Sequence, residues 1–447
     1  MSTIKVLMLG WSQDSHMNGG LGNACYGLCK ILSEKVRLTM VLPKVPDYLL
    51  ADHKVKIIET IVDLSSKNKP SNKSKEEIEY QYASKTINIE VELDPYFHPG
   101  SGRSLTEEIK RIKKARKEKR IQKTDFQKQH KSIAHSLDLY DDDMLERVVE
   151  YAHQVTEIAK NLKFDIIHAH DWMTFLAGIY VKNATGKPLL LHVHSLDYDR
   201  AAGKIKSWVF DIERYCLSKA DMVVPVSNYT AGIIYSRYGL SSKKVLTVHN
   251  GIAPAKMTIK LPKDGIKTVL FTGRITGQKG WRYFLEISLK VLKQIENVKF
   301  IMAGDGPEMD DLTKSEIVDF FSDKIEITGH VGREKLKELF SISDVYLMPS
   351  VSEPFGITAL EAVQAGIPVV LSKRSGVSEV LPSAPKAYFR DTTTMARHVV
   401  RLLKDDKLYI RTVKKLQKEV EQNTWKKSAE KLITAYRQLL ADNEENN

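Results

Sequence analysis

Short apolar runs recur along the chain, each ending in glycine or polar residues, and several lead into segments of helical periodicity. The first, Ile4-Lys-Val-Leu-Met-Leu9, precedes a polar loop with Asn18-Gly-Gly-Leu-Gly22, and the spacing beyond it predicts a helix over 24–32. Asp165-Ile-Ile-His-Ala-His-Asp-Trp172 and the run 189–200 after Pro188 read as buried parallel strands that end in polar residues. Further strands are predicted at 222–226, 245–248, 268–274, 299–303, 325–329, 345–348 and 366–372. Asp141 to Asp143 caps a helix beginning near Met144, and apolar residues at helical spacing predict a closing helix over 425–440. A linker containing Pro, Lys and Gly, 253–267, separates two α/β halves of matched composition. At 447 residues the chain exceeds one ordinary core and divides into two domains of about 200 residues each.

The chemistry-bearing residues cluster at strand ends. In open α/β sheets ligands bind beyond the carboxyl ends of the strands, which marks His170, Asp171, His194 and Ser195 as candidates by position. The first glycine loop misses the dinucleotide fingerprint: counted from Gly20, Gly22 fits but Cys25 stands where the third glycine or alanine belongs, which disfavours hydride transfer. His168 and His170 share one face of a strand, as do His192 and His194, so the pairs converge only if the two strands are adjacent. With no Cys or His-Glu motif to complete a tetrahedral set, metal binding is set aside, and His168 and His192 are expected to be structural.

The most informative segment runs from Ser350 to Ser372. An apolar strand enters a turn with Glu353, Pro354 and Gly356, and a helix opens near Ile357 with Glu361 one turn inside. A helix N-terminus presents unpaired N–H groups to an anion, and Gly356 lets a phosphate approach the backbone. Two carboxylates flanking an anion site repel a bare phosphate, but they suit a nucleotide sugar whose hexose and ribose hydroxyls each need an acceptor. As single residues, Glu353 and Glu361 read as ordinary loop and helix carboxylates. A glycosidase pair needs carboxylates facing each other across a bond, which one short segment does not supply.

This segment resembles the Glu-x7-Glu signature of retaining GT-B glycosyltransferases of family 4 and, more distantly, of glycogen and starch synthases. The resemblance implies an α/β GT-B fold, two Rossmann-like domains facing each other across a cleft. The acceptor domain would span 1–252 and the nucleotide-sugar domain 253–424, with 425–447 crossing back to the first domain. It implies donor contacts at Gly19, Gly20, Gly329, His330, Val331, Pro354, Phe355, Gly356, Ile357 and Glu361, and catalytic roles for His194, Asp171, Arg274, Lys279 and Glu353. In the family, Arg274 and Lys279 would grip the diphosphate and Glu353 would orient the hexose. One departure stands out: glycogen synthases carry a lysine just before the paired glycines, where this chain has Met17-Asn18.

Charge and cysteine content refine the picture. Net charge is +12, and 110–131 alone holds eleven Lys or Arg against Glu118 and Asp125. This segment, with 65–75, reads as part of a basic insertion at about 65–135 in the first domain. It is either a solvated helix or a docking patch for anionic lipid or an anionic acceptor. Interleaved aromatics and recognition motifs are missing, so nucleic acid is not expected as a partner. Three cysteines without metal or redox spacing, no visible signal peptide and no apolar run approaching ~20 residues predict a cytoplasmic enzyme, soluble or peripheral to the inner membrane face. The expected reaction is retaining, metal-independent hexose transfer without a cofactor, from ADP- or UDP-glucose to a glycan acceptor. A metal at Asp197-x-Asp199 is disfavoured because the diphosphate-gripping motifs lie in the other half. The alternatives are a lipid-linked or surface-polysaccharide acceptor, a GT-B epimerase and a non-catalytic nucleotide or anionic-surface binder.

Overall fold

The computed structural model describes residues 3–10, 20–43, 57–58, 77–78, 85–89, 142–203, 207–257 and 265–445. In the first half these form β1 (Lys5–Leu9), β2 (Arg37–Pro43), β3 (Ile57–Ile58), β4 (Glu77–Ile78), β5 (Lys85–Ile89), β6 (Ile166–His170), β7 (Leu189–Val193) and β8 (Met222–Pro225). The second half contributes β9 (Lys267–Thr272), β10 (Val298–Ala303), β11 (Ile325–Gly329), β12 (Val345–Met348), β13 (Val369–Ser372) and β14 (Lys386–Ala387).

Two six-stranded parallel sheets result, ordered β5-β2-β1-β6-β7-β8 and β11-β10-β9-β12-β13-β14. Counted within each six-stranded sheet, with the separate β3–β4 pair left out, both follow the order 3-2-1-4-5-6 of a doubly wound sheet. The strand order reverses between β1 and β6 in one sheet and between β9 and β12 in the other. The loops leaving those four strands therefore flank the two crevices where such sheets bind ligands.

Side-chain alternation sorts the first sheet into two faces. Leu7, Leu9, Ile167, Ala169, Leu189 and Leu191 belong to a core shared with helices Asp142–Lys160, Trp172–Thr185 and Trp208–Lys219. Val6, Met8, Ile166 and Leu190 face the other way, toward helix Gly20–Leu32 and the C-terminal helix Trp425–Glu445. That second core continues into the other half through Leu270, Tyr346, Phe355 and Leu360. The close approach of the C-terminal helix requires glycine twice: a β-carbon on Gly27 would lie 2.2 Å from Trp425 Nε1, and one on Gly251 2.2 Å from the Trp425 backbone nitrogen.

Several boundaries differ from those predicted. The first helix opens at Gly20, four residues early, and the helix expected near Met144 opens at Asp142. The run 245–248 is not a strand: Val245 makes one isolated bridge to Val223, while Leu246 and Val248 donate to the carbonyls of Val223 and Pro225. Pro225 has no N–H to return, which keeps this edge from completing a ladder. Within the span read as an insertion, β5 is the edge strand of the first sheet, where the β-branched Thr86, Ile87 and Ile89 suit extended backbone. Gly19, the segment 65–75 and the basic segment 110–131 lie outside the described residues.

Candidate active site

The second sheet supplies one wall. After β9 the chain passes Gly273 and Arg274, makes a single turn at Gly277–Lys279 and reverses at Gly280, whose φ is 75°. A β-carbon on Gly280 would meet the Pro349 carbonyl at 2.3 Å, so this loop lies directly on the one leaving β12. The Gln278 carbonyl accepts from Val351 N at 2.9 Å, and Lys279 Nζ donates to Glu353 Oε2 at 2.7 Å. Glu353 is buried, with Ser350 Oγ donating to the same oxygen, and its backbone pairs with Arg374 and Gly376. Lys279 and Glu353 are thus held together from opposite sides of the sheet's switch point.

Gly356 follows with φ 105°, a conformation that side chains resist. It caps helix Ile357–Gln364 without a side-chain hydrogen bond to the first turn of N–H groups. Tyr346 OH bonds Thr272 Oγ1 at 3.2 Å and Thr358 Oγ1 at 2.9 Å, tying the end of β9 to that first turn. Pro354, Phe355 and Ile357 are buried, and Phe355 and Ile357 join the core beneath. Glu361 lies one turn in; burial pushes its carboxyl up, opposed by the charge of Arg333. Gly329, His330 and Val331 leave β11 at the same carboxyl edge, close to Arg333 in sequence, with His330 exposed.

The first sheet supplies the facing wall. Asp171 follows β6 in a strained conformation, φ 58°. Its Oδ1 accepts from His194 N at 2.7 Å and Ser195 N at 3.2 Å, and its own N–H donates to the His192 carbonyl. Burial raises this carboxyl to about 6, against the pull of Arg200 and the two amides. With Oδ1 committed to backbone, Asp171 fixes the loop that carries His194, which makes it a positioning residue.

Register pairs His170 with His192, so β6 and β7 are adjacent and the histidine pairs do converge. Their rings stack, with centroids 4.2 Å apart for His168 and His170 and 4.4 Å for His192 and His194. His168 Nε2 meets His192 Nδ1 at 3.2 Å, and Tyr436 of the C-terminal helix bonds His168 Nδ1 at 2.7 Å. His168 thereby ties the C-terminal helix to the sheet, with His192 behind it. His194 is pushed down to about 3 by burial and is neutral at physiological pH.

Sequence reasoning did not assign the joining role of the residues that link the walls. Asp199 accepts from Ser352 Oγ, which also bonds Tyr229 OH at 2.8 Å, and Arg374 Nε donates to that Tyr229 oxygen at 3.2 Å. Asp199 is thereby engaged in joining the halves. Ser227 Oγ donates to the Pro354 carbonyl at 2.6 Å. Glu379 accepts from Asn228 N, Tyr229 N and His249 Nε2. Burial alone would raise the Glu379 carboxyl, but His249 and the two amides hold it below the usual range. These contacts pin the ends of β7 and β8 onto the Glu353 loop. Each partner is more than a hundred residues from the other, so no local spacing announces them.

Residues 254–422 match the family model described as glycosyl transferases group 1, and residues 97–256 that described as glycosyltransferase family 4. An uncharacterized glycosyltransferase of Methanocaldococcus jannaschii is 30% identical over 295 residues, 62% of this chain and 75% of that protein. The chain belongs to the glycosyltransferases, with the GT-B fold. The phosphatidylinositol N-acetylglucosaminyltransferase GPI3 subunit of Saccharomyces cerevisiae is 27% identical over 52% of this chain, and the glycogen synthase of Mycobacterium tuberculosis 25% over 48%. In both cases the match spans about half of the relative's length. Among solved structures, sucrose-phosphate synthase from Thermosynechococcus elongatus superposes with a TM-score of 0.69 at 16% identity, covering 98% of this chain and all of that one.

Proposed function

We propose that the protein transfers a hexose, with glucose from ADP- or UDP-glucose as the leading donor, to a glycan acceptor with retention of configuration and without a metal ion. The observation that carries this reading is the Lys279–Glu353 pair beside the uncapped helix at Gly356. It combines a cation, a hydroxyl acceptor and a cradle of amides within one crevice.

The diphosphate sits over Arg274, Lys279 and the N–H groups of the first turn, which stabilise the charge that develops as the glycosidic bond to phosphate breaks. Glu353 accepts from hexose hydroxyls and Glu361 from the ribose, while backbone around Gly329 to Val331 meets the base. The neutral imidazole and the backbone of His194 stand beside the anomeric carbon and the hexose 6-hydroxyl. The leaving phosphate takes the acceptor's proton on the face it departs from, which yields retention.

A second acceptor class is favoured by a specific pair of observations. A relative is named for transfer to phosphatidylinositol, and the segment 110–131 is strongly basic. Among the described residues no helix is long and apolar enough to cross a membrane. Turnover of ADP-, UDP- and GDP-hexoses in EDTA, with glycogen or anionic vesicles added, tests both readings. Glycogen-stimulated turnover of a glucose donor supports the glucan acceptor, stimulation by vesicles alone supports the lipid one, and no turnover of any donor defeats the assignment.

A further inference from the structure

Three side chains from three elements converge beneath the carboxyl edge of the first sheet. His170 ends β6, His194 follows β7, and Cys25 lies in helix Gly20–Leu32. His170 Nδ1 is 2.9 Å from His194 Nε2 and 3.7 Å from Cys25 Sγ. One donor atom from each residue lies within 4.8 Å of the other two. No fixed sequence spacing links the cysteine to the histidines, and the fold alone brings them together.

Those separations approach the edges of a tetrahedral coordination shell. Zinc bonds of about 2.3 Å to sulfur and about 2.0–2.1 Å to nitrogen place S and N roughly 3.6 Å apart and two N atoms roughly 3.4 Å apart. The thiol already stands at such a distance from His170, and the two rings must part by about half an ångström. Cys25 is 1% exposed, His170 0% and His194 8%, so His194 is the member nearest solvent. Their orientation is set from behind: His168 and His192 stack on the two rings, and Asp171 holds the His194 backbone. As it stands, one proton must be shared between the facing ring nitrogens, and His170 Nε2 and His194 Nδ1 have no hydrogen-bond partner among the described residues.

We propose that Cys25, His170 and His194 bind a thiophilic divalent cation of the zinc class, and that its binding withdraws His194 from the donor and inhibits transfer. The inhibitory half rests on the reading that His194 stands beside the hexose. On binding, the Cys25 thiol releases its proton to solvent, while His170 and His194 each keep one N–H on the outward nitrogen and give a lone pair from the inner one. One proton leaves per ion, and the sulfur and two nitrogens form three bonds to the cation. Soft and borderline ligands of this kind select zinc over magnesium or calcium.

The test uses the full chain and Zn²⁺ and Co²⁺ as probes. The expected results are one Zn²⁺ per chain in a chelator competition and a thiolate-to-cobalt charge-transfer band with Co²⁺. Inhibition of transfer by Zn²⁺ should be reversed by EDTA. Cys25→Ala should retain basal transfer, lose the cobalt band, resist zinc and bind it more weakly by more than the roughly 10–100-fold typical of losing an outer-shell partner. The cobalt band of the unmodified protein reports the thiolate even if the variant fails to fold. Absence of stoichiometric binding and of the band, or equal zinc affinity in folded Cys25→Ala, overturns the site. Cys25-dependent binding that leaves transfer unchanged supports the site but overturns inhibition and the placement of His194 beside the hexose. Absence of transfer under every condition counts against the proposed function, with metal binding still scored by the spectra.

Discussion

Two carboxylates in this molecule sit in unlike settings and do unlike work. Glu353 is buried against Lys279, with Ser350 Oγ donating to the same carboxylate oxygen. Replacing it with Ala should lower hexose transfer by about 100-fold or more, with little change in melting temperature because Lys279 is partly exposed and can turn to water. A fully active variant rejects its role at the hexose. Asp171 instead serves the backbone. Asp171→Ala strips two amides of their acceptor, at a cost of about 1–3 kcal/mol. It also leaves alanine at a positive φ with no side-chain bond to hold it there, whereas Asn keeps an acceptor oxygen for the same two amides. The expected order in denaturant midpoint is wild type, then Asp171→Asn close behind, then Asp171→Ala. Equal midpoints for the two variants contradict the positioning role.

At the scale of elements, the two switch points place the candidate residues at strand ends, and much of that was legible in the chain. Apolar runs ending in Gly or His mark buried parallel strands, and Gly356 before an apolar helical segment marks the turn that opens helix Ile357–Gln364. Edges were less legible. The run 245–248 has strand composition but meets Pro225, and β5 lies inside a stretch whose charge dominated its reading. The approach of Cys25 to His170 depends on helix packing that no local pattern encodes. The docking of the C-terminal helix is similarly a matter of close contact. Gly27→Ala would drive a methyl group into the Trp425 indole, and the expected loss is about 1–3 kcal/mol, read as a lower denaturant midpoint. An unchanged midpoint contradicts that packing.

For the whole molecule, the contacts from Ser227, Tyr229, His249 and Asp199 to the Glu353 and Glu379 segments join the two halves. Glu379 is ionised more readily in the folded chain than when unfolded. Its contribution is therefore present above the unfolded carboxylate value of about 4.3 and is lost as pH falls through its lower folded value. Across that range the wild type should lose melting temperature more steeply than Glu379→Gln, whose curve lacks this component. Parallel curves would show that the ion pair does not link the halves. Fold, family and the juxtaposed crevices support a donor held by cations and helix amides, and the chemistry proposed for them is substitution on a single face of the sugar. The most direct test is the anomeric configuration of the first-formed product, followed by NMR with a glucose donor in EDTA. An α-linked product from the α-linked donor is the predicted result; a β-linked product, or transfer that ceases when EDTA is added, contradicts retaining, metal-independent transfer.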